Sequence, residues 1–216
     1  MKQKVSNLKE SAYKSIKAKI IHGHLKPGDA ISEDELQAEL NVSRTPIRES
    51  LIRLQSENFV VIYPRKGIFV VNLTPKIIRE IFEVREFVEP QVLRKVFRKI
   101  DKSWLLDMKE KLSLDMSHLP NEEQKEYFVN LDDHFHNHLL ELSENDYLID
   151  MMEKVYDQVH RTRIHTFFAE HRSVSTKEEH VRIIDAILDE DIELAVNRLL
   201  EHVIMSKEVA VRNLLV

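Results

Sequence analysis

Two closely spaced helix-start signals constrain the fold of this chain more than any other feature. Ser32 followed by Glu35 is a capping box, which predicts the first turn of a helix. Ser43 is a favourable N-cap for the next helix, and Pro46 lies in its first turn, where a missing N–H costs nothing. Residues 41–42 are all that links the two elements. This spacing predicts a helix-turn-helix.

The second of these helices is expected to expose a basic face. Arg44 and Arg48 lie one helical turn apart, while Ile47, Leu51 and Leu54 recur at helical spacing and would hold the opposite face against a core. Proteins present side chains to a DNA major groove from short helices of this kind. A solvated surface helix is the alternative, which two charges alone would favour, so the neighbouring elements decide.

A β-hairpin is expected directly after this helix. Two β-rich runs, 59–63 and 68–71, flank a basic turn with proline and glycine at 64–67. A hairpin beside a helix-turn-helix is a wing, and its tip residues Arg65 and Lys66 could reach phosphates or the minor groove. An ordinary solubilising turn is the alternative.

Composition favours a mainly α-helical, globular chain. Three glycines and six prolines among 216 residues are too few for the turns of an all-β fold. The absence of cysteine excludes disulfides and thiolate metal sites. No apolar run approaches the length of a membrane span or a signal sequence, so a cytoplasmic protein without membrane contact is expected.

The charge of the chain is unevenly distributed. Residues 1–73 carry 12 basic and 8 acidic side chains (+4), and the remainder carries 20 basic and 29 acidic side chains (−9). This difference indicates two modules.

The second module is expected to be an all-helical bundle. Thr74 and Pro75 form an N-cap followed by proline, and helical patterns then continue over 74–99, 102–117, 121–143, 145–170, 175–189 and 191–214. We therefore expect a winged helix-turn-helix domain over 1–72, a linker and the start of the first bundle helix over 73–77, and an all-helical domain over 78–216.

Four polar side chains fall on apolar faces of this bundle. In the helix at 121–143, Asp132 and His136 share the arc of the buried residues. His180 and His202 are similarly placed on the last two helices. By contrast, His134, His138, Asp133 and Asn137 of the helix at 121–143 lie at the edge of its arc or outside it. A single inward histidine is usually a hydrogen-bonded core residue. Three of them with an inward aspartate indicate a metal site, because an ion makes burial of the carboxylate tolerable. Nitrogen and oxygen ligands suit Zn, Ni, Mn or Fe.

Two arginines of the bundle are candidates for holding an effector. Arg85 lies in the apolar arc of its helix, with Glu89 one turn later. It could grip a ligand carboxylate through two parallel hydrogen bonds, or it could form an internal ion pair with Glu89, and the sequence favours neither. Arg163 is a weaker candidate, since it lies near the edge of its apolar arc.

Residues 8–72 resemble the winged-helix domain of GntR-family bacterial transcription regulators. The matching motifs are Gly23-x-Leu25-x-Pro27-Gly28, Ser32-Glu33-x-Glu35-Leu36, Asn41-Val42-Ser43-Arg44-Thr45-Pro46-Ile47-Arg48-Glu49 and Arg65-Lys66-Gly67. Ser50 and Asn58 stand where the family usually has alanine and glycine. The resemblance implies a recognition helix that begins at Ser43, with Arg44 and Arg48 contacting bases or phosphates and Ser43 and Thr45 contacting phosphates. Gly67 would let the wing backbone approach DNA.

Residues 74–216 resemble the FCD domain of the FadR subfamily. The matching motifs are Arg85-x-x-Val88-Glu89-Pro90, Asp132-x-x-Phe135-His136, Glu179-His180, and Ala195 ahead of His202. Metal-binding members carry one aspartate and three histidines at these positions, which implies Asp132, His136, His180 and His202 here. A small metal-linked effector is therefore expected in place of a long acyl chain.

Together these features predict a DNA-binding transcription regulator and not an enzyme. We expect a homodimer on an imperfectly palindromic double-stranded operator, controlled by a small carboxylate that binds at the metal site. A metal-dependent hydrolase is one alternative, although no general base is evident beside the ligands. A sensor for which the metal ion is itself the signal is the other.

Overall fold

The computed structural model describes residues 2–166 and 172–214 of the chain, and side chains over 8–164 and 175–214. The chain divides into two compact units, Met1–Leu73 and Thr74–Val216. The first bundle helix begins at Pro75, inside the segment 73–77 that is expected to hold the linker and the start of this helix.

The first unit is built from three helices and three short strands. In chain order they are α1 (Lys2–Ile21), β1 (Ala30–Ile31), α2 (Glu33–Leu40), α3 (Arg44–Ser56), β2 (Val60–Tyr63) and β3 (Gly67–Val70). The Ser32 hydroxyl accepts a hydrogen bond from the backbone N–H of Glu35, as the capping box predicts. Asn41 ends α2 in the left-handed conformation, with a φ of 51°, which turns the chain towards α3.

The wing is wider than the sequence predicts. Strand β1 pairs antiparallel with β3, so the sheet has three strands in the order β1-β3-β2 instead of a lone hairpin. Two residues are too few to leave a periodic pattern, and for that reason β1 is not visible in the sequence. At the tip, the Lys66 N–H donates to the Tyr63 carbonyl, and Arg65 has a φ of 64°.

The inner face of α3 is the centre of the first unit. Ile47, Leu51 and Leu54 are each at most 1% exposed and pack with buried residues of α1 and the sheet, including Ile16 and Val60. Because this face is held by the core, Arg44 and Arg48 on the other side of the helix face solvent, whereas Ser50 is buried with the apolar residues. The short helix therefore has one fixed orientation.

The second unit consists of α4 (Pro75–Val96), a 3₁₀ turn (Phe97–Lys99), α5 (Lys102–Ser113), α6 (Asn121–Glu141), α7 (Asp146–Thr166), α8 (Arg172–Leu188) and α9 (Ile192–Asn213). Helix α5 ends four residues before the predicted 117. Part of the predicted helix 145–170 lies outside the described residues. Pro120 occupies the N-cap of α6.

The bundle core brings together the helices that carry the polar candidates. Helix α9 packs against α4 and α8, and α6 packs against α4, α5 and α7. Phe135 is completely buried in the apolar core that these helices share. No helix in the described part of the chain combines the length and apolar character needed to span a bilayer. The predicted fold class, a winged helix-turn-helix followed by a helical bundle, is confirmed.

Candidate functional site

Asp132, His136, His180 and His202 form one buried cluster. The first two lie on α6, His180 lies on α8 and His202 lies on α9, and each is at most 5% exposed. One ligand atom from each residue lies within 4.8 Å of the others. The Nε2 atoms of His136 and His202 are 3.3 Å apart, and Asp132 Oδ1 lies 3.5 Å from His180 Nε2. The structure thus brings together all four residues that the sequence proposes as metal ligands.

The outer nitrogen of each histidine has a fixed acceptor. The Nδ1 atoms lie 2.9 Å from a carboxylate oxygen of Glu89 for His136, 2.8 Å from the Thr176 carbonyl for His180, and 2.7 Å from a carboxylate oxygen of Glu179 for His202. A proton on Nδ1 leaves the Nε2 lone pair free to bind a metal ion. The buried Nε2 of His180 has no hydrogen-bond partner among the described residues. A buried acceptor without a hydrogen-bond partner is expected where that nitrogen binds a metal ion.

The charges of the cluster also suit a cation. Burial alone would raise the pKa of Asp132, but Arg163 and the three histidines hold that pKa well below its usual range. Burial lowers the pKa of His180 to about 4, so its imidazole is neutral at neutral pH. The site therefore offers an ionised carboxylate and a neutral imidazole beside two further histidines. These nitrogen and oxygen donors fit Zn, Ni, Mn or Fe.

Arg85 is fully buried beside this cluster. Its Nε lies 2.5 Å from Glu89 Oε1, and its Nη2 lies 3.2 Å from His136 Nε2. The internal ion pair with Glu89 is thus the arrangement present in the structure. Nη1 of Arg85 has no hydrogen-bond partner in the described part of the chain.

A small cavity adjoins the cluster at Asp132. Its volume is about 40 Å³, and its polar wall is formed by Asp132, Thr162, Arg163, Thr176 and Ser206. A cavity of roughly 10–15 Å³ holds one water molecule, so only a few small groups fit here. Arg163 is ion-paired with Asp132 and Asp133. Of the two arginines proposed for an effector, Arg163 lines this cavity and Arg85 does not.

Sequence reasoning missed several residues around this centre. It assigned no role to Glu179, Thr162 or Ser206, and it treated Glu89 only as a partner of Arg85. The sole signal for Glu179 is its place directly before an inward histidine. Its partner His202 lies on another helix, and no local pattern indicates which side chains meet across a helix pair.

The residues proposed for DNA contact lie on exposed parts of the first unit. They are Ser43, Arg44, Thr45 and Arg48 at the start of α3, and Arg65, Lys66 and Gly67 at the wing tip. Ser43 occupies the N-cap position of α3, but its hydroxyl makes no capping hydrogen bond, contrary to expectation. The sequence did not reveal that two acidic side chains of α2 bind the arginines of α3.

Comparison with known families agrees with both units. Residues 8–70 match the bacterial regulatory proteins of the gntR family, and residues 80–204 match the FCD domain. The chain is 29% identical over 190 residues to the uncharacterized HTH-type transcriptional regulator YdhC of Bacillus subtilis, an alignment that covers 88% of this chain and 85% of YdhC.

Solved structures show the same fold. A GntR regulator from Rhodococcus sp. RHA1 superposes with a TM-score of 0.78 at 21% identity, over 96% of this chain and 98% of that one. The FCD domain of TM0439 is 27% identical and has been solved metal-free and Zn²⁺-bound, with TM-scores of 0.54 and 0.52 over 66% of this chain and 97% and 96% of those chains. These families and relatives are transcription regulators and not enzymes. The chain belongs to the GntR family of bacterial transcription regulators and carries an FCD domain behind its winged helix-turn-helix.

Proposed function

We propose that this regulator holds a divalent metal ion at Asp132, His136, His180 and His202, and that a small carboxylate binding there controls its affinity for operator DNA. The observation that carries the proposal is the closed cluster in which every histidine Nδ1 has an acceptor, so that the Nε2 atoms converge. Hydrogen bonds that orient the outer nitrogen of each histidine are typical of metal sites, and histidines buried only for packing do not need to converge on one point.

The adjoining cavity supports a small, anionic effector. Arg163 places a guanidinium at the cavity wall, and Thr162, Thr176 and Ser206 place polar groups around it. A bound metal supplies a Lewis acid for an incoming carboxylate. A cavity of about 40 Å³ suits a small effector.

Control of DNA binding follows from thermodynamic linkage. An effector that binds one arrangement of the protein more tightly shifts the population towards it, and DNA binding must change effector affinity by the same factor. We propose a homodimer whose two α3 helices read half-sites of an imperfect palindrome about one helical turn apart. Arg44 and Arg48 would contact bases or phosphates, and Arg65 and Lys66 would contact the backbone or the minor groove.

Metal content tests the site directly. Purified protein is dialysed against chelator, reloaded with Zn, Ni, Mn or Fe, and compared with His202→Ala and with His134→Ala, an exposed histidine on α6. Metal at one hundred times its dissociation constant stabilises by about 2.7 kcal/mol, a shift that thermal denaturation resolves. We expect this stabilisation in wild type and in His134→Ala and its loss in His202→Ala. Equal metal binding by all three proteins contradicts the site.

DNA binding is tested on a duplex enriched from a randomised library by the wild-type protein. Arg48→Ala should abolish binding while metal content is unchanged, and Lys14→Ala, which removes a 73% exposed charge on α1, should bind normally. Small carboxylates are then titrated with and without chelator. A change in DNA affinity that needs both metal and carboxylate supports the proposal, whereas a change with metal alone identifies a metal-ion sensor.

A further inference from the structure

Two acidic side chains in the first turn of α2 bind Arg44 and Arg48 of α3. Glu33 Oε1 lies 3.0 Å from Arg48 Nε, and Asp34 Oδ1 lies 2.6 Å from Arg44 Nη2. The partners are separated by 15 and 10 residues, so the turn between the helices brings them together. Both contacts form between the exposed starts of the two helices.

The pair formed by Glu33 and Arg48 is asymmetric in its exposure. The Glu33 side chain is 23% exposed, whereas that of Arg48 is 67% exposed. The carboxylate therefore sits against the protein and the guanidinium projects beyond it. In the described part of the chain Arg48 makes no other hydrogen bond, so both terminal nitrogens, Nη1 and Nη2, remain available.

This geometry matters for base recognition. The two terminal nitrogens of an arginine form a planar fork that matches guanine O6 and N7, and this contact is the commonest specific one in the major groove. An arginine without a hydrogen-bond partner loses conformational entropy about several rotatable bonds when it presents that fork. A carboxylate on Nε fixes the plane of the guanidinium without occupying the fork.

We propose that Glu33 is a positioning residue for Arg48, and that it raises sequence discrimination at the expense of overall DNA affinity. Asp34 differs from Glu33, because it binds the terminal Nη2 of Arg44 and so occupies the fork of that arginine. The inference rests on the proposed role of α3 as the recognition helix. A carboxylate near the phosphate backbone repels DNA of any sequence, whereas orientation of Arg48 favours only the matching base.

A competing explanation is that these acids merely stabilise α2. Acidic residues in the first turn of a helix interact favourably with its macrodipole. Glu35 tests this explanation because it shares the first turn, is exposed, and is hydrogen-bonded to neither arginine among the described residues. Glu35→Gln is therefore the matched control for helix stability and for loss of one negative charge.

The experiment uses the full chain and two duplexes, one enriched from a randomised library by wild type and one with the same composition scrambled. Fluorescence anisotropy at fixed salt gives the ratio of the two affinities for wild type, Glu33→Ala, Glu33→Gln and Glu35→Gln. A good arginine–guanine contact discriminates by roughly 5- to 150-fold, so we expect Glu33→Ala to lower the ratio by at least about 5-fold. Glutamine at 33 keeps an oxygen that can accept from Nε, so Glu33→Gln should keep the ratio and bind both duplexes more tightly.

Other outcomes are equally decisive. If Glu33→Ala and Glu33→Gln strengthen binding to both duplexes equally and leave the ratio at the wild-type value, Glu33 only repels DNA and the inference is wrong. If Arg48→Ala keeps full affinity and ratio, the recognition helix itself is misassigned, which is a separate failure. Far-UV circular dichroism of each variant shows whether the fold is retained.

Discussion

Arg65 at the wing tip holds a conformation that its side chain disfavours. It is the third residue of the turn from Tyr63 to Lys66, and its φ of 64° is in the left-handed region. A Cβ atom in this region costs about 1–2 kcal/mol, which is the reason that glycine is preferred at such turn positions. Because the side chain is exposed, no packing compensates for that cost.

Replacement of Arg65 by glycine should therefore stabilise the first unit. Removal of the Cβ recovers about 1–2 kcal/mol, and the greater freedom of glycine in the unfolded chain costs about 0.4–1 kcal/mol. The net gain should be roughly 0.5–1 kcal/mol. Native-state hydrogen exchange of α3 amides reports on this unit, and the fluorescence of Trp104, the single tryptophan, reports on the other.

Arg65→Ala is the matched control. It removes the same charge but keeps a Cβ in the left-handed region, so its stability should stay close to that of wild type. Both variants should bind DNA more weakly. Loss of one phosphate contact from each protomer of the proposed homodimer, two in all, should reduce the slope of log K against log salt by about 1.8. If the glycine variant is no more stable than the alanine variant, the strain argument fails.

Three further predictions concern the bundle. In metal-free protein, His180 is buried with a pKa of about 4, whereas its pKa in the unfolded chain is roughly 6.5. The free energy of unfolding should therefore be highest above pH 6.5 and fall by about 3 kcal/mol towards pH 4. A free energy of unfolding that does not change with pH in urea titrations would contradict this. Glu179→Gln, which removes the carboxylate on His202, should weaken metal binding about 10- to 100-fold by competition with a chelating dye, whereas the same change at the exposed Glu178 should not. Phe135→Ala, at a fully buried ring 4.9 Å from that of His180, should cost about 3–5 kcal/mol in denaturant unfolding, and a loss below 1 kcal/mol would show that the site collapses around the cavity.

Much of the fold was predictable because its signals are local. Three helices begin where the sequence indicates. Helix α2 follows the capping box at Ser32, α4 begins at the N-cap and proline of Thr74 and Pro75, and α7 follows Asn145, whose amide oxygen accepts from the Leu148 N–H. Asn58, which stands in place of a glycine, adopts a φ of 62° as its tolerance of left-handed backbone allows. Helix ends that lack such signals lie a few residues from their predicted positions.

The predicted metal ligands depended on a different kind of signal. Helical periodicity separated Asp132 and His136 from the exposed His134 on the same helix. Periodicity states which side of a helix faces the core, but it does not state which inward side chains of different helices meet. That His180 and His202 approach the same point as Asp132 and His136 follows from the packing of α9 against α8 and α4, and of α6 against α4.

The sequence by itself determined the helix-turn-helix, the exposed arginines of α3 and the inward placement of four polar residues, because spacing and capping act within a few residues. Only the tertiary structure decided that β1 joins the wing, that Glu179 holds His202, and that Glu33 holds Arg48. Each of these contacts joins segments ten or more residues apart. Their formation depends on the angles at which helices and strands pack, and side-chain shape throughout the core sets those angles.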